Sequence, residues 1–570
     1  MKKFQSLNLG NAVAAFLIAA ITLSQFCAKA QLLSDKTGAF THADTLRGSL
    51  NNKRVWWDVM RYDISVTPDY ASKTIEGETT ISFKANESGS GNNMQIDLQT
   101  GLEIDNATLY ISANKKQGSI KVIVPFTRNG NAYFLETSSY DFNKTDTCRL
   151  VLIYHGKPRE AIRPPWDGGW IWKKDSLGHP WMSVACQGLG ASVWYPCKDH
   201  QSDEPDNGAS LTITVPDTLV AVANGRLSNS SKANGMATYT WEVNNPINNY
   251  NIIPYIGKYV HFGETYSGEK GKLTCDYWVL DYNLEKAKEQ FKQVPKMMEA
   301  FEHWFGPYPF YQDGFKLVES PHLGMEHQSA VAYGNYFLNG RQGRGSAEAM
   351  KFDYIIIHES GHEWFANNIT TKDIADMWVH ESFTCYSETL YLEYWFGKET
   401  ANNYLQAQRK GIGNKKIMIG PYGVNKEGAD MYNKGANLIH TIRQVINEDE
   451  KFRGILRGLN KTFYHQTVST KQIEDYISKQ SGINLSKIFD QYLRTIQIPI
   501  LQWKYDNGYL RAKWSNCIKA FQMPIRFTDA AGKSKVIKPN STKWVSVKTS
   551  LDSSNGDFWD KNFYVTYEKL

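Results

Sequence analysis

The chain has 570 residues, 41% of them apolar and 13% aromatic, including 17 Trp. That length and apolar fraction exclude a single small domain and suffice for two to four domains with separate cores. The formal charge of +6 is interleaved in sign, half of it lies in Lys2, Lys3 and Lys29, and no Lys/Arg block stands out, which excludes the basic footprint of a nucleic-acid binder.

Met1-Lys2-Lys3 precedes a mostly apolar run over residues 12–26, and Ala28-Lys29-Ala30 supplies an A-x-A cleavage site before Gln31. Residues 1–30 are therefore expected to be a signal peptide, leaving a periplasmic or secreted protein. A lipid anchor at Cys27 is the lesser alternative, because Phe26 is too large for the small residue needed before a lipidated cysteine. No other stretch is long enough to cross a bilayer. The six remaining cysteines form no C-x-x-C pair, and buried thiols are expected for most of them. Residues 31 to about 50 are polar and expected to be loose. Alternation in Tyr62-Asp63-Ile64-Ser65-Val66, Thr79-Thr80-Ile81-Ser82-Phe83 and Leu211-Thr212-Ile213-Thr214-Val215, with turn clusters such as Ser88-Gly89-Ser90-Gly91-Asn92-Asn93, predicts a β domain over 50–260. The character changes near Asn283. Helical periods at 285–304, around residue 360, and at 431–447, 471–480 and 485–494 predict a mostly helical domain over 261–495. Asp506-Asn507-Gly508 reads as a hairpin turn, and Pro499, Pro524 and Pro539 punctuate strands, so residues 496–570 should form a small β-sandwich.

Within the helical region, His358-Glu359-Ser360-Gly361-His362 places two imidazoles one turn apart on one helix face, able to grip one metal ion, with Glu359 within reach of a water beside it. Gly361 in the middle of such a helix implies that something approaches its backbone closely. Phe365 and Asn368 stand where H-E-x-x-H-x-x-G-x-x-H requires Gly and His, excluding that protease class. A catalytic zinc needs a third protein ligand. A second predicted helix offers His380 or Glu381, which point about 100° apart, so only one can face the metal. Glu388, seven residues past Glu381, shares its face and can back a metal ligand.

These residues resemble the gluzincin zinc aminopeptidases of the aminopeptidase N and leukotriene-hydrolase family, in whose pattern the glutamate after 18 intervening residues is a zinc ligand; the resemblance selects Glu381. Leu323-Gly324-Met325-Glu326-His327 resembles the family's G-x-M-E-N exopeptidase motif, whose backbone lies beside the substrate as an added edge strand. Tyr432-Asn433-Lys434-Gly435 is similar to its Y-x-K-G segment, and Gln187, ten residues before Cys197, to its substrate-contacting glutamine followed by Pro-Cys. Leu323 and His327 depart from the motif's first glycine and its asparagine, and Ala185 replaces a second glutamine found in some members.

The resemblance implies a multidomain α+β protein: an N-terminal β-saddle domain, a thermolysin-like catalytic domain and a C-terminal β-sandwich, without the long helical superhelix of larger members. It implies one Zn²⁺ held by His358, His362 and Glu381, with Glu388 behind. Glu359 would be the general base and Tyr432 the oxyanion donor. Glu326 and Gln187, with Gly324 and Met325, would bind a peptide with a free N-terminus. The rival functions are a zinc endopeptidase, an epoxide or ester hydrolase on the same site, and an inactive binding ectodomain.

Overall fold

The computed structural model describes residues 40–86, 92–112, 119–552 and 555–570. The expected signal peptide, Cys27 and the turn residues 88–91 lie outside them. The N-terminal part is built on a wide eight-stranded sheet, with Trp57–Asp69 at its centre, antiparallel to Thr74–Ala85 and parallel to Ala209–Pro216. Tyr62, Ile64 and Val66 alternate into the core, as period-2 side chains of a half-buried strand must. A second, four-stranded sheet pairs Gly169–Lys174 with Pro180–Ala185. It ends just before Gln187 and so delivers that residue toward the middle of the molecule.

The hairpin Tyr259–Gly268/Gly271–Leu280 leaves this region and joins the sheet of the following domain, in the order Tyr259–Gly268, Gly271–Leu280, Phe315–Glu319, Val331–Tyr333, Gly324–Met325. Gly324–Met325 is an edge strand, antiparallel to Val331–Tyr333. Helices α2 (Leu284–Gln290), α3 (Gln293–Phe305), α4 (Tyr354–Gly361), α5 (Trp378–Gln408), α6 (Asn433–Ile446), α7 (Asp449–Thr462), α8 (Thr470–Ser481) and α9 (Ser486–Leu493) complete it; α1 (His42–Gly48) precedes the first sheet. The C-terminal part pairs Ile500–Asp506 with Tyr509–Ser515 in a four-stranded sheet. Asn507 and Gly508 both have positive φ, 51° and 76°, as a two-residue hairpin turn requires. This sheet and the Ile525–Thr528/Ser534–Ile537 hairpin share an aromatic core in which Trp559 meets Trp503 and Phe527 at 6.3 and 5.8 Å. No helix follows Leu493, and no helix is long and apolar enough to cross a membrane, among the described residues. The six described cysteines are buried, with no disulfide between any two.

Two sequence expectations are corrected, and one helix is added. Residues 31–39 lie outside the described ones, but 40–50 are not loose throughout: Thr41 and Asp44 form a capping box that starts α1. None of its residues is buried, and polar contacts hold it, Arg47 to Asp199 at 3.1 Å and Asp44 to Lys426 at 3.3 Å; apolar periodicity therefore gave no sign of it. Residues 285–304 form two helices rather than one. Pro295 has no N–H for the Phe291 carbonyl, so the ladder breaks at Phe291 and Lys292. The amphipathic α7, buried at Phe452, Ile455, Leu456 and Leu459, was not anticipated, because Gly454 and Gly458 lower its intrinsic propensity.

Candidate metal centre

Asp353 caps α4 by accepting from the Ile355 and Ile356 amides at 3.0 and 3.3 Å. Ile355, Ile356 and Ile357 bury the helix and leave His358 and His362 facing a cleft. Gly361 has the close neighbour its presence implied. A Cβ there would lie 2.6 Å from Ser387 Oγ and 3.2 Å from Thr384 Cγ2, so only glycine lets α4 and α5 cross this tightly. The crossing sets the first-turn Glu381 of α5 against both histidines: its Oε2 is 3.7 Å from His358 Nε2 and 3.5 Å from His362 Nε2.

The opposite ring nitrogens are occupied. His358 Nδ1 bonds Glu388 Oε1 at 2.7 Å, and His362 Nδ1 bonds the Phe365 carbonyl at 3.0 Å. The second bond depends on a kink just past α4, where Ala366 adopts φ 148° and the chain turns back beneath the imidazole. Both Nε2 atoms are thereby left to face Glu381 Oε2, a buried oxygen with no hydrogen-bond partner. The 3.7 and 3.5 Å from Glu381 Oε2 to the two imidazole nitrogens approach the spacing of a tetrahedral zinc site, in which ligand atoms about 2.0–2.1 Å from the ion stand roughly 3.3 Å apart. His380 is directed elsewhere: its Nε2 accepts the Thr371 amide at 2.9 Å, and burial lowers its pKa to about 3. Glu359 also has an oxygen within 4.8 Å of ligand atoms on both histidines. Burial raises its carboxyl to about 7, whereas Glu381 is held below the usual range, burial being outweighed by His362. A further cluster, His358, Cys385 and Glu388, lies at the backing side of His358, whose Nδ1 is already bonded to Glu388.

The cleft, about 670 Å³, is lined among others by Gln187, Gly324, Glu326, Glu359, Glu381 and Tyr432. Gly324 passes so near the metal helix that a Cβ would sit 2.7 Å from Glu359 Oε1. Met325 is buried beside it on the edge strand, and Glu326 is buried with its pKa raised by desolvation. Its Oε1 accepts from Gln187 Nε2 and, at 2.9 Å, from the Tyr250 hydroxyl, while Asn367 Nδ2 holds its backbone carbonyl at 2.7 Å. Tyr250 and Asn367 escaped the sequence reading, since neither carries a local pattern. Leu323 lies partly buried at the start of the edge strand; His327 is fully buried against Tyr255 and does not line the cleft.

Tyr432 stands just before α6 with 41% of its surface exposed, and its hydroxyl donates to Glu381 Oε1 at 3.0 Å. Its neighbour Tyr422 is bonded to Asp376 instead, at 2.6 Å. The segment after Tyr432 explains this placement. Lys434 is buried and donates to the Thr495 carbonyl at 3.0 Å, and a Cβ on Gly435 would collide with Ser382 Oγ, so α6 can start directly against α5. A separate cavity of about 610 Å³, lined by residues such as Phe305, Gly454 and Arg457, contains none of these groups.

Residues 59–250 match the peptidase M1 N-terminal domain and residues 289–492 the peptidase family M1 domain. Leukotriene A-4 hydrolase of Xenopus laevis is 24% identical over 387 residues, 63% of this chain and 60% of that protein. Aminopeptidase B of Rattus norvegicus is 22% identical over 433 residues, covering 72% and 63%. Probable aminopeptidase 2 of Sulfurisphaera tokodaii is 19% identical over 503 residues, covering 83% and 61%. The chain thus spans about three fifths of the length of these curated relatives. An M1 zinc metallopeptidase from Deinococcus radiodurans has the same fold, with TM-score 0.63 at 21% identity over 77% of this chain and 95% of that one. A variant of that protein bound to a Tyr-Ser-Ala substrate superposes at TM-score 0.61.

Glu381→Ala should lose zinc, measured by elemental analysis, while His380→Ala retains it. Glu388→Gln should weaken zinc binding by roughly 10- to 100-fold by freeing His358 to rotate. Retention in Glu381→Ala with loss in His380→Ala would reassign the third ligand.

Proposed function

From the membership of this chain in the peptidase M1 family, we infer that it is a zinc-dependent aminopeptidase, removing N-terminal residues from peptides. The observation that carries this reading is the buried carboxylate of Glu326 in the cleft. There Glu326, steadied by Gln187 and Tyr250, presents a buried carboxylate next to the metal ligands. Such a group is an anchor for an ammonium, and an anchor in the same cleft as the metal ligands would fix which peptide bond lies at the metal. An endopeptidase has no use for it.

His358, His362 and Glu381 would hold the zinc, which would supply a Lewis acid to lower the pKa of water and polarise a carbonyl. Glu359, buried with an oxygen within 4.8 Å of a ligand atom on each histidine, accepts the proton of the attacking water and returns it to the departing amine. The Tyr432 hydroxyl, now bonded to Glu381, rotates to donate to the developing oxyanion. Gly324 and Met325 offer edge-strand backbone along which an extended peptide can lie. The leader over residues 1–30 supports export, with the mature chain beginning at Gln31.

Glu359→Gln should keep zinc and lose nearly all turnover. Tyr432→Phe should lower kcat about 100- to 1000-fold with a smaller effect on KM; near-normal kcat in Tyr432→Phe would remove the tyrosine from the mechanism. N-acetylation of a peptide substrate should nearly abolish cleavage. Glu326→Ala should narrow the gap between free and acetylated substrates, because losing one partner of a buried charge pair costs about 2–5 kcal/mol. Equal kcat/KM on the two substrates by the unaltered enzyme would make it an endopeptidase. N-terminal sequencing of the exported protein should start at Gln31; retention of Met1 in the final product would refute the leader assignment.

A further inference from the structure

Among the described residues, the acidic cleft is lined by one formal cation outside the histidines. Glu326, Glu359, Glu381, Glu388, Glu427 and Asp430 all line it, and Arg341 is the only lysine or arginine among its lining residues. Arg341 meets no carboxylate among the described residues. Its guanidinium lies instead between two ring faces, 5.5 Å from Trp166 of the N-terminal domain and 5.7 Å from Tyr354 at the start of α4. The stack directs the cation without neutralising it. Trp166 is 61% exposed and Arg341 is exposed, so the planar fork remains open to a ligand from the cleft.

The loop that carries Arg341 is firmly built. Buried Asn335 donates to the Leu338 and Gly340 carbonyls at 2.6 and 2.8 Å and accepts the Gln342 amide at 2.7 Å. Asn335 also donates to Asp353, the cap of the metal helix, at 2.8 Å. The position of Arg341 relative to the histidines is therefore set by the same carboxylate that starts α4.

Its place along the cleft follows from the helix. Tyr354, His358 and His362 occupy successive turns, with adjacent ring centroids 5.0 and 5.1 Å apart. Glu326 is tied to Asn367, beyond His362, and Gly324 lies against Glu359 and Ile355. A peptide whose amine rests at Glu326 and whose first carbonyl reaches the metal must continue past Gly324 toward Tyr354 and Arg341. Tyr354 and His362 lie eight helical residues apart, about 12 Å, and three extended residues span roughly 10 Å.

Resting on the aminopeptidase reading, we propose that Arg341, braced by Trp166 and Tyr354, binds the C-terminal carboxylate of short peptides and makes the enzyme prefer tripeptide-sized substrates with both ends free. An acidic side chain offers the same chemistry, so the test separates the two sources.

The measurement is kcat/KM on an apolar tripeptide as the free acid, on its C-terminal amide, and on an amide of the same length with Glu at the third position, for the unaltered enzyme and for Arg341→Met and Arg341→Lys. The free acid should exceed its amide by about 10- to 100-fold, mainly through KM, as expected for a charge-assisted bidentate contact. In Arg341→Met the two should converge, and Arg341→Lys should restore part of the difference. Equal rates on acid and amide by the unaltered enzyme would overturn the proposal while leaving an aminopeptidase. So would an acid–amide gap that persists in Arg341→Met. A Glu-bearing amide that matches the free acid, and loses that rate in Arg341→Met, would assign Arg341 to an acidic side chain and overturn the C-terminal reading. Failure to cleave any free-amine peptide would instead refute the aminopeptidase function itself.

Discussion

The tight crossing of α4 and α5 is the contact on which the rest of the site depends. Two histidines on one helix and two glutamates on another converge only if the helices approach within a distance that any side chain at residue 361 would forbid. With Gly361 against Thr384 and Ser387, Glu381 reaches both Nε2 atoms and Glu388 reaches the back of His358. The same device recurs twice nearby. Gly435 lets α6 meet α5 and so sets Tyr432 over Glu381, and Gly324 lets the edge strand pass Glu359. Three glycines without strained dihedrals thus act through the absence of a Cβ.

Close packing of this kind concentrates charge. Glu326, Glu359, Glu381 and Glu388 are all buried around two imidazoles, an excess of acid that would be costly if left uncompensated. On the proposed function, a divalent ion at the histidine–glutamate set and an ammonium at Glu326 would supply the missing positive charge. The buried acid is thus left without a matching cation among the described residues around it, and the orphaned Glu381 Oε2 is the local sign of it.

The N-terminal domain is part of this site. Gln187 and Tyr250 come from its loops and hold Glu326, and Trp166 braces Arg341 across the domain boundary. Helix α1 reinforces the junction, since Arg47 pairs with Asp199 and Asp44 with Lys426 of the catalytic domain. Such polar links are short in space and long in sequence, and loss of alignment between the domains would shift Glu326 relative to the metal ligands.

Sequence alone determined what rests on local periodicity. One helical turn separates His358 from His362, two separate Glu381 from Glu388, strand alternation marks the β domains, and Asn507-Gly508 specifies its hairpin. Backbone geometry fixes those relations whatever the rest of the chain does. It also showed that Gly361 needed a close neighbour without identifying it. Tertiary structure decided which groups meet across the fold. Gln187 and Tyr250 are 139 and 76 residues from Glu326, and His380 and Glu381 are neighbours sent to opposite duties by the rotation of a single helix. The polar helix α1 and the broken segment at Pro295 belong to the same class, since hydrophobic period does not register a helix held by ion pairs or a single missing N–H. Contacts between distant segments depend on how whole elements pack, and no short-range pattern in the chain encodes that packing.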